Sequence, residues 1–172
     1  MKTAEKITHF RIYEEGVNFM GIADVQLPDL ESMTEEIKGA GISGAVESVT
    51  LGHYSAMTLS INWRVIEQDA IKLNEPRYHL LDIRVAQQSS DTSSSNITVD
   101  SVKHLVRCFP KKLGLGKLEV ASPGDITSEY AVDYFATWIG NDKKIEIDPK
   151  NFICIINGKD WLSEVRTALG MN

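Results

Sequence analysis

The sequence feature that most constrains the fold is the alternation of apolar and polar residues along much of the chain. In residues 57–64, four apolar side chains alternate with four polar ones: Met57, Leu59, Ile61 and Trp63 with Thr58, Ser60, Asn62 and Arg64. Because successive side chains of a β-strand point to opposite faces of a sheet, this alternation predicts a strand with one buried face. Similar patterns occur at residues 8–13, 77–87, 97–109, 129–139 and 144–147. We therefore expect a mainly antiparallel β fold, a barrel or a sandwich.

Turn residues between these segments predict two hairpins. Glu15-Gly16 offers a turn into a second strand at residues 17–25. Gly52-His53 separates an apolar stretch from the alternating one, so residues 46–65 are interpreted as a long hairpin with one apolar face. Such a hairpin is awkward for a monomer, because its apolar face must be covered and its edges paired. Closing it into a barrel shared between subunits meets both needs and predicts oligomerisation.

The second half of the chain carries stop signals and one helix signal. Pro110 cannot donate to a strand ladder and is expected to end the strand at 97–109, with another strand at 113–120. Near the end, Asp160 can cap a short helix at residues 161–169. Four residues are expected on the buried stripe of that helix: Trp161, Leu162, Val165 and Leu169.

Two segments fit no strand or helix pattern. Residues 87–96 are rich in serine and are expected to form a solvated surface loop. Residues 29–52 begin acidic and then become small and glycine-rich, which leaves little side chain to pack against their own domain. From composition alone two interpretations stay open: a flexible surface loop, or an arm whose backbone lies close to another surface.

Composition bounds the class of protein. A chain of 172 residues suits a single domain. The 24 acidic and 18 basic residues give a formal net charge of −6, which argues against a nucleic-acid-binding protein. The first residues lack the apolar region of a signal peptide, and no apolar run is long enough to span a bilayer. We expect synthesis in the cytoplasm and no membrane anchoring.

The sequence offers no set of catalytic or metal-binding residues. Four histidines are scattered without a zinc-binding spacing, and no phosphate-binding glycine loop or nucleophile elbow is present. No nucleophile, base and stabiliser can be nominated together, so we expect neither an enzyme nor a cofactor. Cys108 and Cys154 lie in apolar stretches and are interpreted as buried thiols, with a disulfide or a metal site as the alternative.

Several strings of residues occur in a characteristic order along the chain. Among them are Gly21-Ile22-Ala23-Asp24-Val25, Leu51-Gly52-His53-Tyr54, Asn62-Trp63-Arg64 and Ile145-Glu146-Ile147-Asp148-Pro149. Others lie at residues 33–44, 114–120 and 156–170. Over essentially the whole chain, their order and spacing resemble those of the major tail tube proteins of contractile-tailed phages. The serine-rich residues 87–96 are the main departure.

The resemblance implies a single tail tube domain over residues 1–172 that forms hexameric rings. The rings would stack into a hollow tube, and long strands of each subunit would join a continuous inner β-barrel. Implied partners are further copies of the chain, a surrounding sheath protein, and baseplate and tail-terminator proteins. The place of action would be the virion tail, assembled in the host bacterial cytoplasm. The tube of a DNA-free particle, such as a tailocin or an extracellular injection system, is the alternative.

The resemblance also suggests which residues make contacts. Residues 29–52 would be an inter-subunit arm, with contacts between subunits or rings at Lys38, Gly39, Gly41, Ile42 and Gly44. The hairpin at 46–65 would line the lumen through Glu47, Thr58, Ser60, Asn62 and Arg64, and the strands around residues 77–87 and 99–109 are further candidates for the lumen wall. Because the subunit is acidic overall, we expect a negative lumen through which DNA passes without specific binding.

Overall fold

The structure is a computed structural model of the chain and describes residues 1–15, 18–19 and 23–171. It is built mainly of β-strands: β1 Lys2–Glu14, β2 Asn18–Phe19, β3 Ala23–Gln26, β4 Ser32–Ile37, β5 Val46–Tyr54, β6 Met57–Trp63, β7 His79–Asp91, β8 Asn96–Gly114, β9 Ile126–Ile139, β10 Asp142–Asp148, β11 Ile153–Ile156 and β12 Lys159–Asp160. The helices are α1 Gln68–Lys72 and α2 Ser163–Ala168, with a 3₁₀ turn at Pro149–Asn151. The expected fold class, mainly antiparallel β with a short C-terminal helix, is confirmed.

One large sheet carries most of the strands. Its order is β12-β11-β10-β9-β8-β7-β1-β2, and all its ladders are antiparallel. Strand β9 pairs with β8 along one edge, whereas β6 and β10 share its other edge, β6 at Ile126–Val132 and β10 at Phe135–Ile139. Strand β3 pairs with the free side of β6. This branching at β9 lets the two parts of the sheet enclose a common core.

The core is lined by the apolar face that the alternation predicted for β6. Met57, Leu59, Ile61 and Trp63 are each at most 4 % exposed. They pack with side chains from the other part of the sheet and with the residue that follows α1; among these side chains are Leu73, Leu81, Ile83, Val106 and Phe135. Each large apolar side chain buried in this way stabilises the fold by about 1.5–3 kcal/mol.

The predicted hairpin at 46–65 is wrong. Strand β5 pairs with β4, from Val46 opposite Ile37 to Tyr54 opposite Ser32, and β6 pairs with β9 and β3. Gly52 lies inside β5 and does not form the expected turn; a Cβ at this position would lie 2.5 Å from Cδ2 of Leu162. Close packing against Leu162, which precedes α2, therefore explains why this position is occupied by a glycine.

The predicted hairpin with a turn at Glu15-Gly16 lies partly outside the described residues. Within them, residues 17–25 do not form one strand that pairs with β1. Strand β2 pairs with β1 at Tyr13 and Glu14, whereas β3 pairs with β6.

The expected surface loop at 87–96 is much shorter in the structure. Strand β7 continues to Asp91, the turn is confined to residues 92–95, and β8 begins at Asn96. The serines at the end of β7 are tied into the ladder, and Ser89 is buried with its hydroxyl donating to Asp100 Oδ2 at 2.6 Å. The high serine content predicted a loop because serines are common in solvated loops. Composition does not show whether a serine hydroxyl has a hydrogen-bond partner on the neighbouring strand, as Ser89 has.

Pro110 does not end its strand, since β8 runs on to Gly114. The register with β9 shifts between Pro110 and Lys112, so the residue that cannot donate sits at an irregularity of the ladder. Beyond Gly114 the predicted strand at 113–120 is wrong, because residues 115–119 have no strand structure and residue 120 lies in a turn. The side chains of Leu118 and Val120 are almost fully exposed.

The C-terminal helix is present but shorter than expected, with a narrower buried stripe. Leu162 is buried and Val165 packs against the core, whereas Trp161 and Leu169 are exposed. Asp160 acts near the expected cap: its Oδ1 accepts from the Leu162 N–H at 3.1 Å and its carboxylate pairs with Arg166. Helix α1 was not predicted, because five residues are too few to show a helical period.

Within the described ranges, no helix has the length and apolar character needed to cross a lipid bilayer.

Both cysteines are buried free thiols, as the apolar context predicted. Burial raises the pKa of the Cys108 thiol to about 12, and burial also raises the pKa of Cys154. We expect neither thiol to react with an aromatic disulfide reagent at pH 8 in the native protein, because the thiolate is the reactive form. Both should react after denaturation in guanidinium. Rapid labelling of the native chain would contradict this prediction.

Candidate assembly surfaces

Strands β4 and β5 form an arm that is separate from the main sheet. They pair only with each other among the described residues, and the loop 38–45 forms the tip. At the base, the Ser55 N–H donates to the Glu31 carbonyl oxygen at 2.7 Å. Residues 32–37 and 46–54 are thus an ordered two-stranded arm, and its contact with another surface stays a prediction.

The arm exposes an unusual amount of apolar surface for an isolated hairpin. Six of its large apolar side chains are 41–60 % exposed: Met33, Ile37, Ile42, Val46, Val49 and Leu51. A two-stranded hairpin on its own is marginally stable in water. Ile37 and Val46 are cross-strand partners on one face of the arm, whereas Val49 lies on the opposite face beside Thr34, so apolar side chains are exposed on both faces.

The residues predicted to contact a neighbouring subunit come together at the tip of the arm. Lys38, Gly39, Gly41, Ile42 and Gly44 all lie in the loop 38–45 and are exposed. Apart from the adjacent residues in the chain, no described residue lies within 4 Å of the position that a Cβ would take at any of the three glycines. The space beside the tip is therefore open to another chain, and its contact with one stays a prediction.

Strand β1 offers an edge with little strand pairing. Over residues 2–10 it pairs with β7 on one side, and on the other side the described residues supply no strand. Ile7 and Phe10 on this stretch are 59 % and 37 % exposed. A long edge of this kind is a template for pairing with another chain.

The five residues predicted to line the lumen lie on two different elements, and their place in a lumen stays a prediction. Thr58, Ser60 and Asn62 lie on the face of β6 that points away from the core, and Arg64 follows directly after this strand. Glu47 lies on the arm, where it accepts a hydrogen bond from Thr34 Oγ1 at 2.7 Å. The separation follows from the wrong hairpin, because β5 and β6 are not neighbours.

A buried ionic cluster joins the end of β1 to β7 and α1. Glu14 is 1 % exposed, and its Oε1 lies 2.7 Å from Nδ1 of His79 and accepts from Nη2 of Arg77 at 2.8 Å. Its other oxygen lies 3.2 Å from Nζ of Lys72. His79 Nε2 lies 3.0 Å from the carbonyl oxygen of Glu75. Sequence analysis missed this cluster because Arg77 and His79 are 63 and 65 positions away from Glu14 in the chain.

The charge state of Glu14 follows from these contacts. Burial raises the pKa of the Glu14 carboxyl. Hydrogen bonds from His79, Lys72 and Arg77 lower this pKa, and together they outweigh burial, so the pKa lies below its ordinary value. The carboxylate is therefore the stable form in the folded protein. The cluster has a structural role, since it fastens three elements at one end of the sheet. In the described part of the chain, no group of three or more potential ligands is placed to hold a metal ion.

The face of the main sheet that points away from the core is rich in cations. Arg11 of β1 lies opposite Arg84 of β7, and Arg84 lies opposite Lys103 of β8. Arg107, also on β8, donates to Asp133 at 2.7 Å. Arg84 and Arg107 pair there with Asp82 and Asp133, so the face carries charges of both signs.

Comparison with known proteins identifies the family. The family model described as phage tail tube protein FII matches residues 4–170. The chain belongs to the phage tail tube family. The resemblance found in the sequence is thereby confirmed, and the proteins of this family are structural components of tails.

A curated relative and two solved structures agree with this assignment. The chain is 28 % identical over 178 residues to the major tail tube protein of Serratia phage KSP20, covering 99 % of each protein. It also resembles a chain in the sheath/tube terminator structure of PVC, an extracellular contractile injection system, with a TM-score of 0.51 and 13 % identity over 75 % of this chain and 92 % of the other.

A chain in the PVC sheath-tube complex gives a TM-score of 0.50 and 14 % identity over 76 % of this chain and 88 % of the other. At this level of identity, the two structures show a shared fold.

Proposed function

We propose that this chain is a single tube domain whose copies form hexameric rings, and that the rings stack into the inner tube of a contractile phage tail. The tube is the conduit through which DNA leaves the particle. The protein acts in the virion tail after assembly in the host bacterial cytoplasm. Its partners are its own copies, the surrounding sheath, the baseplate and the tail terminator.

The observation that carries this proposal is the open edge of β1. Residues 2–10 pair with β7 on one side and meet no strand of the described residues on the other. If the edge of one subunit pairs with the sheet of the next, the sheets join into one closed barrel and no edge is left. A closed ring satisfies the backbone groups of every copy equally, as cyclic symmetry requires.

The arm supplies a second contact, between subunits or between rings. Its apolar side chains are exposed in the single chain and become buried when a neighbouring copy covers them. One such contact is weak, but six act together when two rings stack, so the effective concentration of each contact is high.

The tube of a DNA-free contractile particle is a second candidate. It is favoured by the likeness to chains of an extracellular contractile injection system. The same edge and arm would build either tube. Purified particles distinguish the two: a DNA-filled head attached to the tail supports the phage tube, and headless particles support the alternative.

The proposed assembly is tested by cryo-electron microscopy of the tail or of tubes grown from purified protein. We expect sixfold rings in which the β1 edge pairs with a strand of the adjacent subunit. A map in which each subunit is a self-contained globule, with no strand pairing between copies, would overturn the proposal. Growth should be seeded with baseplates, so that a slow nucleation step is not mistaken for a monomeric protein.

Ile42→Ser is expected to weaken tube growth without changing the stability of the single chain. Ile42 is 41 % exposed at the tip of the arm, so its loss removes little from the folded monomer. If a neighbour buries it, each contact loses about 1.5–3 kcal/mol, which is tenfold or more in its equilibrium constant. Tube length by negative-stain microscopy and melting temperature by circular dichroism measure the two effects.

The matched control is Ile71→Ser, which removes an exposed isoleucine from α1, away from the arm. Its tubes should have normal length. Normal tubes from the Ile42 variant would show that the tip of the arm makes no important contact.

A further inference from the structure

The loop between β8 and β9 exposes apolar side chains although its backbone is held in place. The Lys117 N–H donates to the Gly124 carbonyl oxygen at 3.1 Å, and the Gly124 N–H donates to the Arg64 carbonyl oxygen at 2.7 Å. Leu118 and Val120 lie between Lys117 and Gly124 and are almost fully exposed. These two side chains therefore contribute little to the packing of their own chain.

Further exposed apolar residues follow the end of β6, next to the point where this loop is fastened. Because Lys117 and Arg64 both bond to Gly124, the loop lies beside the residues that follow β6. Five large apolar side chains on these two segments, each at least 52 % exposed, are here called the loop patch: Val65, Ile66, Leu115, Leu118 and Val120. Apolar residues scattered singly over a surface need no explanation, whereas a group at one end of a strand indicates a surface that another protein covers.

The surroundings of the loop patch carry more basic than acidic residues. Arg64 and residues 111–125 contain four basic and two acidic side chains, all exposed: Arg64, Lys111, Lys112 and Lys117, with Glu119 and Asp125. Lys117 pairs with Glu119 at 3.0 Å, and among the described residues the other three cations have no ion-pair partner. A partner of this patch is therefore expected to be acidic as well as apolar.

The arm has both of these properties. Residues 29–54 carry five acidic side chains and one basic side chain: Asp29, Glu31, Glu35, Glu36 and Glu47, with Lys38. Apolar side chains are exposed on both faces of the arm. Opposite charges favour the encounter and the orientation of two surfaces, and burial of the apolar side chains stabilises the contact. The arm and the loop patch are thus complementary in charge and in polarity.

The arm and the loop patch lie at opposite ends of β6. The arm leads into Met57 and the patch follows Trp63, so six steps along a strand separate them, about 20 Å. The arm does not cover the patch of its own chain, since Leu118 and Val120 are exposed. A contact between two different surfaces of one chain is heterologous, and it repeats head to tail when it does not close into a ring. This placement suits copies that stack.

We infer that the arm of one copy docks on the loop patch of a copy in the next ring. This inference rests on the proposed function and names the surface that receives the arm. In the contact, Leu118 and Val120 pack against apolar side chains of the arm, and the cations beside them face its carboxylates. The loop between β8 and β9 is therefore held rigid so that its apolar side chains stay available to another copy.

The first test is Leu118→Ser, with tube length measured by negative-stain microscopy after seeding with baseplates. The melting temperature should not change, because Leu118 is exposed in the single chain. The equilibrium constant of each contact should fall about tenfold or more, and the tubes should be shorter. The matched control is Leu169→Ser, the same change at a residue that is 58 % exposed after α2, and its tubes should have normal length.

Tubes of normal length from Leu118→Ser would overturn the inference. Normal tubes that no longer assemble a sheath would also overturn it, and would assign the loop patch to the sheath protein.

The second test is cross-linking of a variant that carries both Ile42→Cys and Leu118→Cys, with a bis-maleimide. The native Cys108 and Cys154 are buried and are not expected to react. Head-to-tail contacts join many copies, so we expect a ladder of dimers, trimers and longer products on a denaturing gel. The control, which combines Ile42→Cys with Leu169→Cys, should give no ladder. Absence of a ladder from the first variant, or dimers from both of its single-cysteine parents, would overturn the inference.

The third test addresses charge, by comparing Lys117→Glu with Lys38→Glu at low salt. Lys117→Glu removes a cation beside the loop patch and should slow tube growth, and the difference from the wild type should shrink as salt is added. Lys38→Glu is the same change on the arm, where it increases the complementary charge, so it should not slow growth. The reverse order of the two variants would contradict the proposed pairing.

These outcomes separate the inference from the proposed function. Failure of the wild type to form tubes on baseplate seeds would overturn the tube. Cross-linking of that same protein would still decide the inference: a ladder would support contact between arm and loop patch, and its absence would overturn it.

Discussion

Glu14→Gln is expected to lower the free energy of unfolding by about 3 kcal/mol, the loss typical of breaking a buried ion pair. The glutamine keeps the shape of the side chain but removes the charge that Lys72, Arg77 and His79 surround. The loss is greatest on the side of His79, because His79 is fully buried, whereas Lys72 and Arg77 are partly exposed. For a chain of this length the change corresponds to a fall in melting temperature of roughly 6–12 °C.

The matched control is Glu15→Gln, which makes the same chemical change at the next residue. Glu15 is 69 % exposed and lies 3.9 Å from Arg77, so its loss should change stability by less than about 0.5 kcal/mol. Equal melting temperatures for the two variants would show that the buried cluster contributes nothing special to stability.

The same cluster predicts how stability depends on pH. The pKa of Glu14 is lower in the folded than in the unfolded chain, so its contribution is complete above the unfolded value. It is lost as the pH falls through the folded value, where the buried carboxylate takes up a proton. Melting of the wild type should therefore depend more steeply on pH below about 4.5 than melting of the Glu14→Gln variant. Parallel curves for the two proteins would contradict the lowered pKa.

Gly116→Ala is expected to destabilise the fold by about 2–4 kcal/mol, from backbone strain and overpacking together. The φ angle of Gly116 is +71°, and a Cβ there would lie 1.8 Å from the carbonyl oxygen of Gly124. That oxygen accepts from the Lys117 N–H at 3.1 Å, and the Gly124 N–H donates to the Arg64 carbonyl oxygen at 2.7 Å. An added methyl group must push apart the backbone that closes the loop onto the end of β6.

Gly140→Ala is the control that separates strain from collision. Gly140 also has a positive φ, +62°, but nothing lies within 4 Å of its Cβ position. It should therefore lose only the strain, about 1–2 kcal/mol. Urea unfolding of both variants measures the difference, and equal losses would show that Gly116 is required for its backbone angle alone.

Sequence analysis predicted strand faces better than strand partners. The apolar residues of β6 are buried as the alternation indicated, since alternation reports the two sides of a single strand. The same alternation says nothing of which strand lies alongside, so β5 was assigned to β6 although it pairs with β4. As a result Glu47 lies on the arm, whereas Thr58, Ser60 and Asn62 lie on β6, and the lumen role of these residues stays a prediction.

The residues predicted for the tip of the arm behaved differently. Lys38, Gly39, Gly41, Ile42 and Gly44 lie together because they are neighbours in the chain, and composition alone indicated that little of their own domain packs on them. The two charge features of the fold were invisible at this stage. The Glu14 cluster joins residues more than sixty positions apart, and the alignment of Arg11, Arg84 and Lys103 depends on the register of three strands.

The order of residues along the chain by itself determined the family, the β class and the buried face of β6. Each of these depends on local composition, on spacing or on the alternation of side chains within one segment. Only the tertiary structure decided which strands pair, which carboxylate is buried among cations, and where cations align across a sheet. Those features arise when distant segments meet in one register, and packing selects that register across the whole core.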